Sequence, residues 1–146
     1  KATASYMNSI LAKLEAKEHG YVEAIMLNEA GLVCEGTGEN LFVVRDGILS
    51  TPPRSDGRLE GSTRDTVLCL ADDLEIPAIE ESLTRSDLYI ADEVFMTGSA
   101  AELTPIGSVD GRVVGKPGEI TRLLQDRFFA VCYGNIEEYS EWLTEI

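Results

Sequence analysis

The chain contains few of the residues that bind metals or form disulfides. Among its 146 residues there are three cysteines, Cys34, Cys69 and Cys132, and a single histidine, His19. The cysteines are odd in number and widely spaced, with no Cys-x-x-Cys pair, which argues against a redox couple. One histidine excludes a multi-histidine metal centre. We therefore predict no metal site and reduced thiols, as in a cytoplasmic protein.

Positive charge and long apolar runs are also scarce. Twelve basic residues stand against 26 acidic ones, and the formal charge of -14 would repel a phosphate backbone. No apolar run approaches the roughly 20 residues that span a bilayer, and the N-terminus lacks the apolar core of a signal peptide. We predict a soluble protein that binds neither nucleic acid nor membrane. The 44% of apolar residues suffice for one globular domain.

Apolar residues at helical spacing predict four helices. Met7, Ile10, Leu11 and Leu14 share one face of an opening helix, and Gly20 is its expected stop. The other predicted helices are 63–74, 86–90 and 117–132. We expect Thr63 to cap the second helix, and Trp142 to anchor the tail.

Turn dipeptides between apolar runs predict hairpins. Asp46-Gly47 and Asp110-Gly111 accept the positive φ angles of tight turns. The predicted strands are 22–27, 32–34, 41–45, 48–51, 78–80 and 93–97, with a further hairpin at 108–114. Hairpins with interspersed helices are typical of an α+β domain, because too few strand–helix–strand units occur for a doubly wound parallel sheet.

The residues that could carry chemistry have ordinary interpretations when each is taken alone. The glycines of residues 36–40 suggest a dinucleotide loop, but no third glycine follows and the next element is a strand. Glu35 alone would be a solvated carboxylate, and Lys1 a mobile surface charge. Tyr6 could equally be a core residue.

Their combination resembles the signature of the fold-type IV pyridoxal-phosphate enzymes. The matching residues are Glu35, Asn40, Leu41, Phe42, Thr51, Leu59, Gly61 and Arg64. Residues 35–42 (EGTGENLF) are most similar to the branched-chain aminotransferases, and further similarity covers residues 91–95, 98–102, 104–105, 108–111 and 116–118. The resemblance implies an α+β fold like the large domain of D-amino-acid aminotransferases, with an antiparallel-rich sheet or pseudo-barrel and flanking helices.

The same resemblance assigns roles to individual residues. Lys1 aligns with the lysine that carries pyridoxal phosphate and moves the substrate α-proton. Glu35 would face the pyridine nitrogen and keep it protonated, and Tyr6 would bind the ring hydroxyl oxygen. The expected phosphate-binding residues are Ser62, Thr63, Gly98 and Ser99, with Asn40, Leu59 and Gly61 completing the cofactor site. Tyr6, Ser99 and Ala100 are expected at the substrate.

Some positions depart from the family pattern. Ser99 stands where threonine is usual and Ser62 where a branched apolar residue is usual. Cys34 and residues 54–57 also differ, which leaves the substrate preference open. The family's N-terminal small domain is missing from residues 1–146, which correspond to the C-terminal cofactor-binding domain. We therefore expect these 146 residues to be inactive by themselves.

The expected activity is transfer of the amino group of leucine, isoleucine or valine to 2-oxoglutarate. Related alternatives are a D-amino-acid aminotransferase or an aminodeoxychorismate lyase, which share the lysine and Glu35. A non-catalytic interaction module with the same fold is the alternative from another class. The resemblance further implies amino-acid and 2-oxo-acid substrates and a homo-oligomer, because active sites of this fold draw on a neighbouring subunit.

Overall fold

The computed structural model describes residues 6–144, which form an α+β fold as predicted. The helices are α1 (Tyr6–Glu18), α2 (Ser62–Asp73), α3 (Arg85–Tyr89) and α4 (Glu119–Cys132). The strands are β1 (Ile25–Leu27), β2 (Val33–Gly36), β3 (Asn40–Arg45), β4 (Ile48–Thr51), β5 (Ala78–Glu80), β6 (Glu93–Gly98), β7 (Glu102–Pro105), β8 (Ser108–Val109) and β9 (Arg112–Val113).

A five-stranded sheet with the order β5-β4-β3-β6-β7 forms the centre of the described fold. Only β4 and β5 pair in parallel, and the other neighbours are antiparallel. Two small antiparallel pairs, β1-β2 and β8-β9, lie beside it. The prediction of an antiparallel-rich sheet is confirmed, whereas the strands of residues 6–144 do not close into a barrel.

Both faces of the central sheet are covered, and its two middle strands, β3 and β6, carry continuous apolar runs at residues 41–44 and 94–96. On β3, Phe42 and Val44 pack with α2 and α4, while Leu41 and Val43 belong to a second cluster on the other face. Phe42 stacks on Phe95 of β6 with ring centroids 5.0 Å apart. Truncating a buried phenylalanine of this kind to alanine costs about 3–5 kcal/mol. The rigid central strands thereby fix the positions of the loops that follow them.

The predicted hairpin turns occur where the sequence placed them. Asp46 and Gly47 have φ values of 51° and 78°, and Asp110 and Gly111 have 51° and 75°. Both dipeptides therefore adopt the left-handed conformation that a two-residue turn requires. β7 and the short 3₁₀ helix Glu137–Trp142 were not predicted.

The apolar stripe of α1 is exposed in the described structure. Met7, Ile10, Leu11 and Leu14 are each between 53% and 65% exposed, and the only buried residue of the helix is Ala16. The helix is therefore predicted correctly, but nothing among residues 6–144 covers this face. In the tail, Tyr139 is buried instead of Trp142, which is 47% exposed. No helix in this part of the chain has the length and hydropathy to cross a bilayer.

Candidate functional site

A cleft of about 270 Å³ opens where β2 and β6 end and α2 begins. Its volume is near the lower end of small-molecule sites, which span roughly 300–1,000 Å³. The predicted site residues that line it are Tyr6, Glu35, Asn40, Leu59, Gly61, Ser62, Thr63, Gly98 and Ser99. Ala100 follows the lining residue Ser99 without lining the cleft itself. Lys1 lies outside the described residues.

Glu35 presents a half-buried carboxylate that is held by two neutral donors. The main-chain N–H of Leu59 donates to Glu35 Oε2 at 2.8 Å, and Asn40 Nδ2 donates to the same oxygen at 3.3 Å. Burial raises the pKa of the Glu35 carboxyl above its usual 4.5. The Leu59 N–H and the charge of Arg58 partly offset this rise, whereas Glu39 adds to it. A desolvated carboxylate without a direct cationic partner is well suited to bind a protonated nitrogen.

Asn40 joins Glu35 to the loop that precedes α2. Its Nδ2 also donates to the carbonyl of Leu59 at 2.9 Å, and its side chain is buried at the start of β3. Its Oδ1 lies so close to Gly61 that a Cβ at residue 61 would overlap it. Glycine at this position is therefore needed for the asparagine to reach both partners.

The first turn of α2 opens onto the cleft and has no side-chain cap. The capping position is Gly61, with φ -90° and ψ 131°, and the first helical bond runs from Asp65 N–H to Gly61 O at 3.1 Å. The main-chain N–H groups of residues 62–64 precede that bond, and the positive end of the helix dipole lies there. Such a helix end is an anion-binding site. The prediction that Thr63 caps the helix is wrong, because the cap lies two residues earlier.

The turn between β6 and β7 forms another wall of the cleft. A Cβ on Gly98 would lie 3.4 Å from the carbonyl oxygen of Gly38, so the two glycine-containing loops approach each other closely. Ser99 and Ala100 are exposed at the rim. Ser99 therefore borders both the cleft and solvent.

Comparison with known proteins identifies the family to which this arrangement belongs. The sequence model described as amino-transferase class IV matches residues 1–109, which include every residue of the cleft. The chain belongs to the class IV aminotransferases. The resemblance carried by Glu35 and its neighbours is thereby confirmed at the level of the family.

Relatives within the family are branched-chain aminotransferases. The branched-chain-amino-acid aminotransferase of Escherichia coli K12 is 47% identical over 148 residues, which cover 100% of this chain and 48% of that protein. The crystal structure of the branched-chain aminotransferase from Thermoproteus uzoniensis with norvaline is 53% identical, with a TM-score of 0.96 over 99% of this chain and 48% of that one. This chain thus spans about half the length of the relatives it matches.

A further solved structure bears on the cofactor of class IV aminotransferases. The branched-chain amino acid aminotransferase from Thermobaculum terrenum, crystallised in its holo-form with pyridoxal phosphate, is 47% identical, with a TM-score of 0.96. The match covers 99% of this chain and 48% of that one. Together with the family match, it implies pyridoxal phosphate as the cofactor.

The polar groups that line the cleft of this class IV aminotransferase fit the chemistry of pyridoxal phosphate. A basic ring nitrogen requires a carboxylate, which Glu35 supplies, and a phosphate requires N–H donors, which the first turn of α2 supplies. Both groups line one cleft. The residues present therefore match both polar ends of the cofactor.

An ion-pair network connects α1 to the loop that follows Glu35. Two residues of α1, Tyr6 and Ser9, line the cleft. Lys13 of α1 forms an ion pair with Glu23, and Glu23 Oε1 accepts a hydrogen bond from Thr37 Oγ1 at 2.5 Å. Burial acts to raise the pKa of the Glu23 carboxyl, but the hydrogen bonds from Lys13, Thr37 and the Ala24 N–H, together with the charge of Lys13, outweigh it and lower the pKa. The network holds α1 beside the glycine-containing loop.

Several cleft residues were missed by the sequence analysis. Thr97, at the end of β6, is fully buried and lines the cleft, and its hydroxyl has no hydrogen-bond partner among the described residues. A buried hydroxyl without a partner is destabilising unless a ligand or water satisfies it. Ser9, Thr37, Gly38, Glu39 and Glu60 also line the cleft. The only sequence signal for Thr97 is its position directly before Gly98 and Ser99.

Proposed function

We propose that the complete protein containing this chain transfers the amino group of leucine, isoleucine or valine to 2-oxoglutarate, using pyridoxal phosphate attached to Lys1. The observation that carries the proposal is the pairing, within one cleft, of a desolvated carboxylate at Glu35 and the uncapped helix end at Ser62. The branched-chain aminotransferases among the relatives support the substrate class.

Glu35 would hold the proton on the pyridine nitrogen of the cofactor. When bound, the cofactor supplies an electron sink for the carbon that loses its proton, and protonation of the ring strengthens it. Among the described residues, the Glu35 carboxylate receives hydrogen bonds only from the neutral donors of Leu59 and Asn40, so none of these residues neutralises it through a direct ion pair. Its raised pKa reflects an environment that favours a positively charged partner.

The phosphate would bind at the start of α2 and at the turn after β6. The N–H groups of residues 62–64 and the hydroxyls of Ser62, Thr63 and Ser99 provide the donors. The exposed rim at Ser99 and Ala100 would bind the substrate carboxylate through main-chain N–H groups, and Tyr6 would contact both cofactor and substrate. These assignments rest on the family resemblance and on the location of the residues at or beside the cleft.

Lys1 would form the covalent link and move the substrate α-proton through its Nζ atom. It precedes Tyr6, a lining residue, by five positions, so an extended backbone would span at most about 18 Å. A lysine in this part of the chain can therefore reach the cleft. We also propose that the complete protein is a homo-oligomer. A neighbouring subunit would then bury the exposed apolar stripe of α1.

The decisive experiment is a half-reaction with the purified complete protein. Addition of leucine without an acceptor should change the visible absorbance of the bound cofactor and release 4-methyl-2-oxopentanoate, and 2-oxoglutarate should restore the spectrum. Lys1→Ala should abolish the absorbance of the lysine-bound cofactor, whereas the matched Lys17→Ala should retain it. An unchanged spectrum in Lys1→Ala would contradict the role of Lys1.

Substrate profiling tests the rest of the proposal. Preference for D-alanine or aminodeoxychorismate over L-leucine would overturn the branched-chain assignment. A complete protein that never binds pyridoxal phosphate would favour the non-catalytic alternative.

Residues 1–146 alone are expected to show no turnover, and measurable turnover would refute that expectation.

A further inference from the structure

Arg58 does not line the cleft, and its guanidinium binds three acceptors nearby. Its Nε donates to the carbonyl of Pro52 at 2.8 Å, its Nη1 to the carbonyl of Leu59 at 3.3 Å, and its Nη2 to Glu80 Oε1 at 2.9 Å. The residue is only 9% exposed. The guanidinium thus joins the start and end of segment 52–59 to the edge strand β5.

Leu59 is the residue through which Arg58 reaches the cleft. Its N–H donates to Glu35 Oε2, and its carbonyl accepts hydrogen bonds from Asn40 Nδ2 at 2.9 Å and from Arg58. Both main-chain polar groups of Leu59 are therefore fixed. Because the N–H is one of the two donors to Glu35, any loosening of Leu59 would also loosen the Glu35 carboxylate.

The charge of Arg58 acts on Glu35 without a direct ion pair. Its partner Glu80 is shared with the buried Arg64, so one carboxylate serves two guanidinium groups. The remaining positive potential reaches Glu35 and acts against the effect of burial on its pKa. The other described ionisable groups near Glu35 are the adjacent Cys34 and, in the cleft lining, Glu39, Glu60 and Tyr6. Arg58 is the described cation that favours the ionised form of Glu35.

We propose that Arg58 is a positioning residue for Glu35: it fixes the Leu59 main chain that binds the carboxylate and supplies the positive charge that keeps the carboxylate ionised. The inference rests on the proposed function for its meaning, since an ionised and fixed Glu35 is what a protonated pyridine nitrogen requires. Arg58 touches neither cofactor nor substrate in this proposal.

The test compares Arg58→Met with Arg54→Met in the complete, cofactor-free protein. Arg54 lies in the same segment, is exposed, and pairs with Glu60 at 3.0 Å, so its replacement removes the same charge without breaking a hydrogen bond of Leu59. The freed Glu60 carboxylate is itself exposed, so solvent screens its effect on Glu35. The Glu35 titration is followed by NMR with carbon-13 in the glutamate carboxyl groups, and the signal is assigned by its loss in Glu35→Gln. Arg58→Met should raise the Glu35 pKa and Arg54→Met should not. Equal Glu35 titration in the two variants would overturn the proposal.

A second measurement separates positioning from charge. Arg58→Lys keeps the positive charge but has no planar fork to bind Pro52, Leu59 and Glu80 together. It should bring the Glu35 pKa only part of the way back to the wild-type value, because the hydrogen bond from the Leu59 N–H, which this variant loosens, also lowers that pKa. Arg58→Lys should bind pyridoxal phosphate about threefold more weakly than the wild type, and Arg58→Met about tenfold more weakly. Wild-type affinity for pyridoxal phosphate in Arg58→Lys would refute the claim that Arg58 fixes the Leu59 main chain. If Arg58→Met does not fold, the affinity of Arg58→Lys alone tests that claim.

The two proposals fail in distinguishable ways. A wild-type protein that does not bind pyridoxal phosphate would refute the proposed function. The Glu35 titration in the cofactor-free variants would still decide whether Arg58 controls this carboxylate.

Discussion

Helices α2 and α4 begin in the same way and differ in what binds their first turns. Each has glycine at its cap position, Gly61 before α2 and Gly118 before α4, so neither cap residue has a side chain that could bind the first turn. In α4 the buried carboxylate of Glu93 accepts hydrogen bonds from the N–H groups of Thr121 at 2.8 Å and Ile120 at 3.3 Å. In α2 the corresponding turn borders the cleft.

The difference separates a structural helix end from a ligand-binding one. At α4 the protein supplies its own anion, which satisfies the N–H groups and fixes the helix to β6. At α2 no side chain of the described residues caps the turn, so an external anion can bind there. Glycine permits both arrangements, because in each case a Cβ would overlap the side chain that approaches it, Asn40 at Gly61 and Glu93 at Gly118.

The largest predicted effect comes from giving α2 an internal anion of its own. Ser62→Asp places a carboxylate in the first turn, where it should weaken binding of pyridoxal phosphate by roughly 100- to 1,000-fold, since like charges a few ångströms apart repel strongly. The helix dipole should stabilise the cofactor-free protein by about 0.3–1 kcal/mol. Ser62→Asn has the same shape without the charge and is the control. Equal cofactor affinity in the two variants would contradict an anion site at α2.

The two glycines provide the next comparison. Gly61→Ala and Gly118→Ala each force a Cβ against a neighbouring polar side chain, and each should lower the free energy of unfolding by about 1–3 kcal/mol. Only Gly61→Ala should also weaken cofactor binding, because it displaces Asn40 from Glu35 and Leu59. Thermal denaturation of the cofactor-free protein and cofactor titration separate the effects. A similar loss of cofactor affinity in Gly118→Ala would mean that the cleft responds to general destabilisation.

Glu93→Gln tests the α4 side of the comparison alone. Removal of the charge weakens the hydrogen bonds to the first turn of α4 and should lower the free energy of unfolding by about 1–2 kcal/mol. Cofactor affinity should change less than twofold, because Glu93 does not line the cleft. Urea unfolding and cofactor titration measure the two quantities. Unchanged stability would show that α4 does not need the internal anion.

The sequence predicted the parts of this contrast that depend on neighbours along the chain. The start of α2 and the Asp-Gly turns could be predicted from local sequence. The clustering of Glu35 and Asn40 with residues 61–63 could be predicted only through the family resemblance. The α2 cap could not be predicted, because glycine gives no side-chain signal, whereas Thr63, two residues later, carries a hydroxyl of the kind that caps helices.

Partners that are distant in sequence could not be predicted from a single chain. Glu93 and Thr121 are 28 positions apart, and Arg58 and Glu80 are 22 apart. Either carboxylate looks like an ordinary surface charge in the sequence. The apolar stripe on α1 shows a second limit of prediction from sequence. Periodicity identifies an apolar face but does not identify what covers it.

The smallest predicted effect is a pH dependence that distinguishes a ligand-binding carboxylate from a structural one. Burial raises the pKa of Glu35, so its deprotonation should reduce the stability of the cofactor-free protein as pH rises from about 4.5 through the raised value. Hydrogen bonds and charge from Arg64 and Arg58 lower the pKa of Glu80. Its stabilising contribution should therefore be complete above pH 4.5 and lost as pH falls through the lowered value.

Urea midpoints of wild type, Glu35→Gln and Glu80→Gln between pH 3 and pH 7 check these opposite signs. Relative to wild type, Glu35→Gln should become more stable as pH rises, and Glu80→Gln should become less stable. Because the Glu80 side chain is 45% exposed, solvent screening should limit its contribution to about 1 kcal/mol. Parallel pH profiles for the two variants would mean that protein groups stabilise the charge of Glu35 as well as they stabilise that of Glu80. The Glu35 carboxylate would then have no electrostatic need for a cation in the cleft.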